Sequence, residues 1–347
     1  MNKKRIVTGN GVVLLTTGVI GGIWSGIGAM PKIISNSQIA QEKLNEEEVL
    51  YKGEINLSKL NINLIKSHVA IKKYDGKDVI VKRSGNKNLS TITTKEGNKE
   101  LTINEEFKNN RLGKSIDDIV RYFVDELYAP QTSEITVYVP DNIDINVNTN
   151  SGRLDINDIN ANSLKFNTLH GSISLNENSN IKNLNIKSNG SISLKTREVY
   201  CSDNLSIESS YVEIYEEALL NGESKIPQNV KILINNKYSD SFNDSVDINT
   251  NLPIAKNLDI TSNEGVDLNL PIADYKFNFD IKTLNNIYFD NESINKYLGT
   301  SLEKNLKYRD DEYILNQSSF EGLINEKLIN NANEYFVNIR SSNVEFK

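Results

Sequence analysis

The sequence predicts an all-β fold, a single-stranded β-helix or solenoid whose coils are about 19–21 residues long. Pairs of alternating hydrophobic residues, separated by a short polar break, recur along the chain. The glycines in three of these breaks, Gly152, Gly171 and Gly190, lie 19 residues apart. A fixed period near 20 residues is typical of a solenoid, in which each repeat forms one coil stacked on the next.

An excess of asparagine fits the same fold. The 347-residue chain contains 51 asparagines, and this residue tolerates left-handed turns and hydrogen-bonds to its own backbone. A protein made of many short strands and many turns would use asparagine often. A biased genome would produce the same excess, and the sequence alone is compatible with both explanations.

Charge is distributed unevenly along the chain. Residues 1–30 carry Lys3, Lys4 and Arg5 and no acidic residue, whereas the remainder carries 36 basic and 46 acidic residues. The resulting net charge of −10 over residues 31–347 repels nucleic-acid phosphate and anionic lipid. We therefore expect no nucleic-acid partner.

The N-terminal segment predicts a membrane anchor. Residues 6–30 contain no charged residue, and as a helix these 25 residues would span about 37 Å, enough for a bilayer core of about 30 Å. The alternative is a cleaved signal peptide, with a basic start and an apolar middle. Because the basic cluster precedes the span, the positive-inside rule predicts a single-pass protein of the cell membrane with an extracellular C-terminal domain.

Three small residues share one face of this predicted helix. Gly18, Gly22 and Gly26 follow one another at four-residue spacing, and such faces pair helices in lipid. They indicate self-association through the membrane segment, although glycine is also simply common in membrane helices.

The chain divides into three predicted regions. Residues 1–30 form the basic cytoplasmic tip and transmembrane anchor, residues 31–50 form a stalk, and residues 51–347 form the solenoid domain. Within the stalk, residues 37–50 are predicted to form a short helix with a sparse apolar face.

Two stretches interrupt the β pattern of the solenoid domain. Residues 115–128 have apolar side chains at helical spacing, begin with a capping pair, Ser115 and Asp118, and are followed by Pro130. We expect one amphipathic helix here that covers an open end or side of the solenoid. Residues 281–330 are the least regular and should hold insertions, including a short helix near residues 292–298.

Alternation with a period of two sorts the strand residues into two faces. Polar neighbours of the aliphatic residues should align into columns on a flat outward β face. Each buried Leu or Ile contributes about 1.5–3 kcal/mol, so the inward column should supply most of the stability. The predicted inward residues of the three regular coils are Leu154, Ile156, Ile173, Leu175, Ile192 and Leu194.

Glycine occurs only in the longer breaks between paired strands. This distribution predicts that Gly152, Gly171, Gly190 and Gly265 are structural turn residues with positive φ, a conformation that glycine adopts at no steric cost.

The sequence offers little catalytic chemistry. His68 and His170 are the only histidines, Cys201 is the only cysteine, and no phosphate-binding glycine loop is present outside the predicted membrane span. We expect both histidines to fill turns and Cys201 to be a small buried residue. Acidic clusters such as Asp240, Asp244 and Asp247 match no calcium-loop spacing, so neither a metal, a cofactor nor enzymatic activity is predicted.

At its turns the chain resembles the bacterial putative-adhesin family, a group of unknown function whose members carry β-helical repeats and often a membrane anchor. The resemblance covers residues 51–347. It implies a surface location and an adhesin-like or envelope role, and it brings no catalytic residues. The motif is a turn of small residues followed by a short strand, as in Thr149-Asn150-Ser151-Gly152-Arg153-Leu154, Ser188-Asn189-Gly190-Ser191-Ile192, Ser262-Asn263-Glu264-Gly265-Val266 and Ser341-Ser342-Asn343-Val344.

These observations favour a membrane-anchored, extracellular and non-catalytic module that binds or scaffolds in the cell envelope. Its partner would be a cell-wall polymer, a glycan or an envelope protein. Binding would use the flat polar face, with Tyr211 and Tyr215 as surface residues, and the irregular 281–330 region. Two alternatives come from other classes: a β-helix carbohydrate-active enzyme, and a self-assembling structural or envelope-stress protein.

Overall fold

In the computed structural model, the described residues form a β-solenoid with three sheets and one short helix. The described residues are 46–76, 78–85, 90–107, 133–176, 178–217, 225–235, 245–272, 275–289, 306–309, 312–315, 319–324 and 334–347. The predicted all-β class is therefore confirmed for this part of the chain.

One face of the solenoid is a twelve-stranded sheet. Most of its neighbouring strands are parallel, as expected when successive coils of one chain stack on each other. In spatial order its strands are β5 (Ser90–Gly97), β6 (Glu100–Phe107), β2 (Lys59–Asn63), β8 (Ile143–Thr149), β10 (Asn160–Thr168), β12 (Asn180–Ser188), β14 (Ser202–Ser209), β16 (Asn229–Ile234), β18 (Asn257–Thr261), β25 (Glu334–Ser341), β20 (Lys276–Thr283) and β24 (Ser319–Ile324).

The opposite face consists of a six-stranded and an eight-stranded sheet. A regular coil contributes one strand to the twelve-stranded sheet and the next strand to this face. The six-stranded sheet has the order β1 (Glu48–Glu54), β4 (Asp78–Gly85), β7 (Ser133–Val139), β3 (His68–Lys73), β9 (Arg153–Asn157) and β11 (Ser172–Leu175). The eight-stranded sheet has the order β13 (Ser191–Lys195), β15 (Tyr211–Tyr215), β17 (Val246–Asn249), β19 (Gly265–Asn269), β26 (Asn343–Phe346), β21 (Ile287–Phe289), β23 (Glu312–Leu315) and β22 (Leu306–Arg309).

Inward side chains stack in register from coil to coil. Leu164 on β10 pairs with Ile145 on β8 and with Leu184 on β12, and the next inward position continues the pattern with Phe166. Both faces of the solenoid contribute to one buried hydrophobic cluster. The predicted inward residues all belong to it, which confirms the alternation: Leu154, Ile156, Ile173, Leu175, Ile192 and Leu194.

The stacking order differs from the order of the sequence at both ends. The first coil, with β2 and β3, inserts between β6 and β8 and between β7 and β9. The last coil, with β25 and β26, inserts between β18 and β20 and between β19 and β21. The sequence pattern does not reveal this, because every coil carries the same alternation and can pair with any other.

Antiparallel strands cover the outermost coils. At one end β5 pairs antiparallel with β6, and β4 pairs antiparallel with β7. At the other end β24 pairs antiparallel with β20, and β23 with β21. These strands occupy hydrogen-bonding edges that the parallel coils would otherwise expose. The helix predicted at residues 115–128 to serve this purpose lies outside the described residues.

The core changes from aliphatic to aromatic at the end formed by β20, β21 and β26. The rings of Phe289 and Phe346 are stacked with centroids 5.0 Å apart, and Phe279 meets Phe346 edge-on at 5.6 Å. Aromatic pairs of this kind contribute about 0.5–1.5 kcal/mol beyond their buried area. They fill the interior where the regular coils end.

A buried carboxylate lies at the seam between the six-stranded and eight-stranded sheets. The short helix α1 (Thr196–Val199) carries Glu198, which is 4% exposed. Its carboxylate accepts hydrogen bonds from the backbone N–H groups of Leu175 (3.2 Å) and Lys195 (2.9 Å). A side chain thus satisfies backbone groups where β11 and β13 do not pair. Cys201, which follows the helix, is 2% exposed, as predicted.

A column of buried hydroxyl groups runs along the turns. Thr149 Oγ1 accepts a hydrogen bond from the N–H of Gly152 at 2.9 Å, and Thr168 Oγ1 accepts one from Gly171 at 2.6 Å. These hydroxyls begin the turn motifs found in the sequence, and they satisfy turn N–H groups that the ladder leaves unpaired. The column consists of Thr149, Thr168, Ser188, Ser209, Ser262, Ser341 and Thr283, and Ile234 takes the position on β16 between Ser209 and Ser262.

The prediction of positive φ at the turn glycines is wrong. Among the described glycines only Gly85 has a positive φ, of 85°. Gly152 and Gly171 are required for space instead, because a Cβ atom would lie 2.2 Å from the carbonyl oxygen of Ser67 and 2.4 Å from that of Gly152, respectively. At Gly190 the closest approach, to His170 Nδ1 and the Leu169 carbonyl, is a looser 3.3 Å.

Two further expectations about these regions need correction. Gly265 does not lie in a turn, because it is the first residue of β19 and pairs with Asn343. The prediction of a helix at residues 37–50 is wrong for its last turn, because residues 48–50 begin β1, which pairs with β4. The rest of that helix and the helix predicted near residues 292–298 lie outside the described residues.

No helix among the described residues is both long enough and apolar enough to cross a membrane. Residues 6–30, including Gly18, Gly22 and Gly26, lie outside the described part of the chain.

A second buried carboxylate anchors the turn of the first coil. Glu105 on β6 accepts hydrogen bonds from the backbone N–H groups of Ile65 (2.6 Å), Lys66 (3.0 Å) and Ser67 (3.2 Å). Burial alone would raise the pKa of Glu105, but the hydrogen bonds from the Ser67 hydroxyl, these N–H groups and Ser90 outweigh it and lower the pKa. The charged carboxylate therefore stabilises the fold.

We predict that Gly171→Ala lowers the free energy of unfolding by about 1–3 kcal/mol, because the added methyl group meets a backbone carbonyl that cannot move independently of its coil. Urea unfolding of the full chain measures this. Gly97→Ala is the control, since the nearest atom to its Cβ would be 3.7 Å away. Equal stabilities of the two variants would contradict the close-approach explanation.

We also predict that Glu105 contributes to the loss of stability in acid. Because its pKa is lower in the folded than in the unfolded chain, its contribution is present above the unfolded pKa of about 4.3 and is lost as the pH falls through the folded pKa. Glu105→Gln should therefore be less stable than the wild type at pH 7 and should lose less stability between about pH 6 and pH 3.

The matched control for this experiment is Glu106→Gln, because the neighbouring Glu106 side chain is exposed. Urea midpoints measured across this pH range should follow the wild-type profile for Glu106→Gln. A Glu105→Gln profile parallel to that of the wild type would argue against the buried carboxylate as a source of acid sensitivity.

Candidate functional site

The outward surface of the twelve-stranded sheet carries a ladder of asparagine amides. The first amide ladder consists of Asn104, Asn63, Asn148 and Asn167, on β6, β2, β8 and β10. Each Nδ2 donates to the Oδ1 of the preceding residue, at 2.8, 2.9 and 2.8 Å. Asparagine is normally depleted in strands, and stacked amide ladders are a known means of stabilising in-register sheets.

A second ladder lies on the same face, and the outward column of Lys165 and Asn185 separates it from the first. The second amide ladder consists of Asn183, Asn204, Asn229 and Asn257, on β12, β14, β16 and β18, with amide contacts of 3.2, 2.8 and 3.0 Å. It ends at Phe336, which pairs with Asn257 and is 48% exposed. Turns and a biased genome were the two explanations that the sequence offered for the asparagine excess, and neither predicts these ladders. The outward alternation of asparagine with buried aliphatic residues was the signal available.

A shallow groove of about 310 Å³ lies on the same face, over β10, β12, β14 and β16. Lys165, Lys187 and Lys231 carry positive charge there, and Glu208 is the one acidic residue in its lining. The ammonium group of Lys187 forms an ion pair with Glu208 at 2.7 Å. The remaining lining is polar or aliphatic, with Asn185 and Ser206 in the column between Lys165 and Lys231.

The predicted surface tyrosines lie on the opposite face. Tyr211 and Tyr215 are both on β15, where they occupy the same outward side, and Tyr215 is 37% exposed. Glu213 stands between them and accepts a hydrogen bond from the Ser193 hydroxyl at 2.7 Å. The structure therefore places the two tyrosines on one surface, about 13 Å apart along the strand.

Carboxylates follow Glu213 along this column of the eight-stranded sheet. Asp247 and Asp267 occupy the same position on β17 and β19, and the terminal Lys347 ammonium group contacts Asp267. Burial raises the pKa of Asp247, Lys347 opposes that rise, and the carboxylates of Asp267 and Glu213 add to it. The repulsion among these stacked carboxylates is therefore partly offset by the positive charge of Lys347.

A second surface depression, of about 420 Å³, lies on the six-stranded sheet. Arg153 and Asp155 in its lining form an ion pair at 2.7 Å, and Arg197 of α1 lies 2.9 Å from Glu217. Its arginines are therefore already engaged with carboxylates of the same chain.

The two histidines lie at or next to the bends of two coils that are separated by the coil of β8 and β9. His68 begins β3, and its Nδ1 accepts a hydrogen bond from the N–H of Arg153 at 2.9 Å, which links two coils. His170 lies beside Gly190. Within the described ranges, no three His, Cys, Asp or Glu side chains come together in a way that could hold a metal ion.

We predict that Asn148→Asp destabilises the fold by about 1 kcal/mol, because an ionised carboxylate cannot donate to Asn63 and places two acceptors against each other. The loss should shrink below about pH 4, where a protonated carboxyl group can donate again. Thermal unfolding at pH 7 and pH 3.5 measures both effects. The control is Asn185→Asp, an exposed outward position between the lysines of the groove; equal destabilisation there would contradict the ladder.

The sequence of the chain identifies its family. A search of curated proteins returns no match to the chain. Among solved structures, the chain is similar to a putative cell adhesion protein from Clostridium sporogenes, with 12% sequence identity, a TM-score of 0.22, and coverage of 87% of this chain and 98% of the other. The resemblance to a family of unknown function, which the sequence indicated, is confirmed by a family model. The model of the Toastrack DUF4097 family matches residues 57–293, more than half of the sequence, and the chain therefore belongs to that family.

Proposed function

We propose that the chain is a membrane-anchored, extracellular and non-catalytic module that binds a polymer or scaffolds partners in the bacterial cell envelope, in the manner of an adhesin. The observation that carries this proposal is the first amide ladder. Its amides repeat once per strand, about every 4.8 Å along the solenoid. A surface with one repeated group suits a ligand that is itself a repeating chain.

The chemistry of the ladder favours a hydroxyl-rich ligand. An asparagine amide has two N–H donors and an oxygen with two lone pairs. In the first amide ladder, Asn63 and Asn148 each use one donor along the ladder and accept one bond at Oδ1. The second donor and lone pair are available to solvent or ligand, and sugar hydroxyls both donate and accept.

Other outward residues support a binding role on the remaining surface. Tyr211 and Tyr215 provide aromatic faces on one side of β15, and Phe336 provides an exposed ring at the end of the second amide ladder. Aromatic rings with an apolar body and a polar environment are common at recognition surfaces. We propose a cell-wall polymer, a glycan or an envelope protein as the partner.

The membrane location rests on the sequence. A basic cluster followed by an uncharged stretch at residues 6–30 supports a single-pass anchor with the solenoid outside. Gly18, Gly22 and Gly26 support self-association of the anchor.

Intact cells that express the full chain should adhere to immobilised cell-wall polymer or glycan, and external protease should remove both the solenoid and the adhesion. The measurements are immunoblotting of the remaining chain and counting of bound cells. Cells without the chain are the control. Complete protection from protease would refute the extracellular location, and adhesion equal to that of the control cells would refute the binding role.

A further inference from the structure

The groove on the twelve-stranded sheet has a charge opposite to that of the chain as a whole. Its lining contains three lysines and one glutamate, whereas the full chain carries a net charge of −7. Exposed charges are screened over about 8 Å at physiological ionic strength. A bound group in the groove would therefore be influenced mainly by these lysines rather than by distant carboxylates.

Two of the lysines are available to a ligand. Lys165 and Lys231 are exposed and form no ion pair with another described residue, whereas Lys187 is held by Glu208 at 2.7 Å. Lys165 and Lys231 stand in the same outward column, three strand spacings apart, or about 14 Å.

The floor between the two lysines is suited to hydroxyl groups. Asn185 and Ser206 fill the two intervening positions of the column, and each can both donate and accept hydrogen bonds. Leu233, which is half-buried, adds an apolar contact at one end of the groove. Positive ends, a hydrogen-bonding floor and an apolar contact together match a sugar chain that carries negative groups at intervals.

We propose that this groove binds a linear acidic glycan, a polyhydroxylated chain bearing carboxylate or phosphate groups, with its axis along the solenoid. This inference rests on the proposed binding function and assigns its ligand class and site. Lys165 and Lys231 bind the anionic groups, Asn185 and Ser206 bind hydroxyls, and Glu208 limits affinity by neutralising Lys187.

The test measures binding of the purified full chain in detergent to polygalacturonate, to poly(glycerol phosphate) and to neutral dextran. We expect the chain to bind at least one of the two anionic polymers and not dextran. The anionic polymer that binds more tightly shows whether the groove prefers carboxylate or phosphate groups. Lys165→Gln/Lys231→Gln should weaken binding by about five- to twenty-fold, from two exposed ion pairs. It should also reduce the slope of log Kd against the logarithm of the salt concentration by about one.

Two variants make the test specific to the groove. Glu208→Gln should tighten binding by about two- to five-fold, because it releases Lys187. Lys95→Gln/Lys282→Gln is the charge-matched control, with both lysines exposed and outside the groove, and it should bind like the wild type.

Three outcomes would overturn the inference. These are equal weakening by the control pair, no change with Lys165→Gln/Lys231→Gln, and equally tight binding of polyglutamate, which has charge but no hydroxyls. If the cells adhere to wall polymer while the groove variants bind normally, the groove assignment fails and the proposed function stands. If neither adhesion nor binding occurs, both fail.

Discussion

Parallel, in-register pairing of strands is the constraint on which the rest of this structure depends. It places each residue of a coil directly above its counterpart in the next, so that aliphatic residues such as Leu164 and Leu184 form continuous interior columns. Because each column is buried, a slip of one residue would send it to the solvent side. The register that forms the core therefore also fixes every outward side chain.

On the outside, the same register places side chains of the same type next to each other in a column. The chemistry of these side chains decides whether the column is stabilised or destabilised. Amides tolerate this arrangement because they both donate and accept, and they form the two ladders. Carboxylates do not tolerate it, because like charges repel each other. In the column that includes Asp247 and Asp267, the positive charge of Lys347 partly offsets this repulsion. A polar, repeating exterior follows from the requirements of the interior, and the proposed polymer-binding surface is a consequence of the fold.

Local and global features were not equally predictable. The inward residues from Leu154 to Leu194 were identified correctly, because alternation with a period of two is a local pattern. The reason that the turns require glycine was not predicted correctly. The carbonyl group of Ser67, which leaves no room for a Cβ atom at Gly152, is distant in sequence. The buried Glu198 and the insertion of β2 between β6 and β8 carry no local signature either.

The sequence by itself determined the strand faces, the turn motifs, the family and the spacing of 19–21 residues in the coils from β8 to β14, since all of these depend on residues that are close in sequence. The next coils are longer, with 25 residues from Leu205 to Val230 and 28 from Val230 to Leu258. Only the tertiary structure decided which coils touch, which asparagines form ladders and which lysines gather over one groove. The physical reason is that these features depend on contacts between strands, and Lys165 meets Asn185 and Lys231 meets Ser206 only after four successive coils have paired in register.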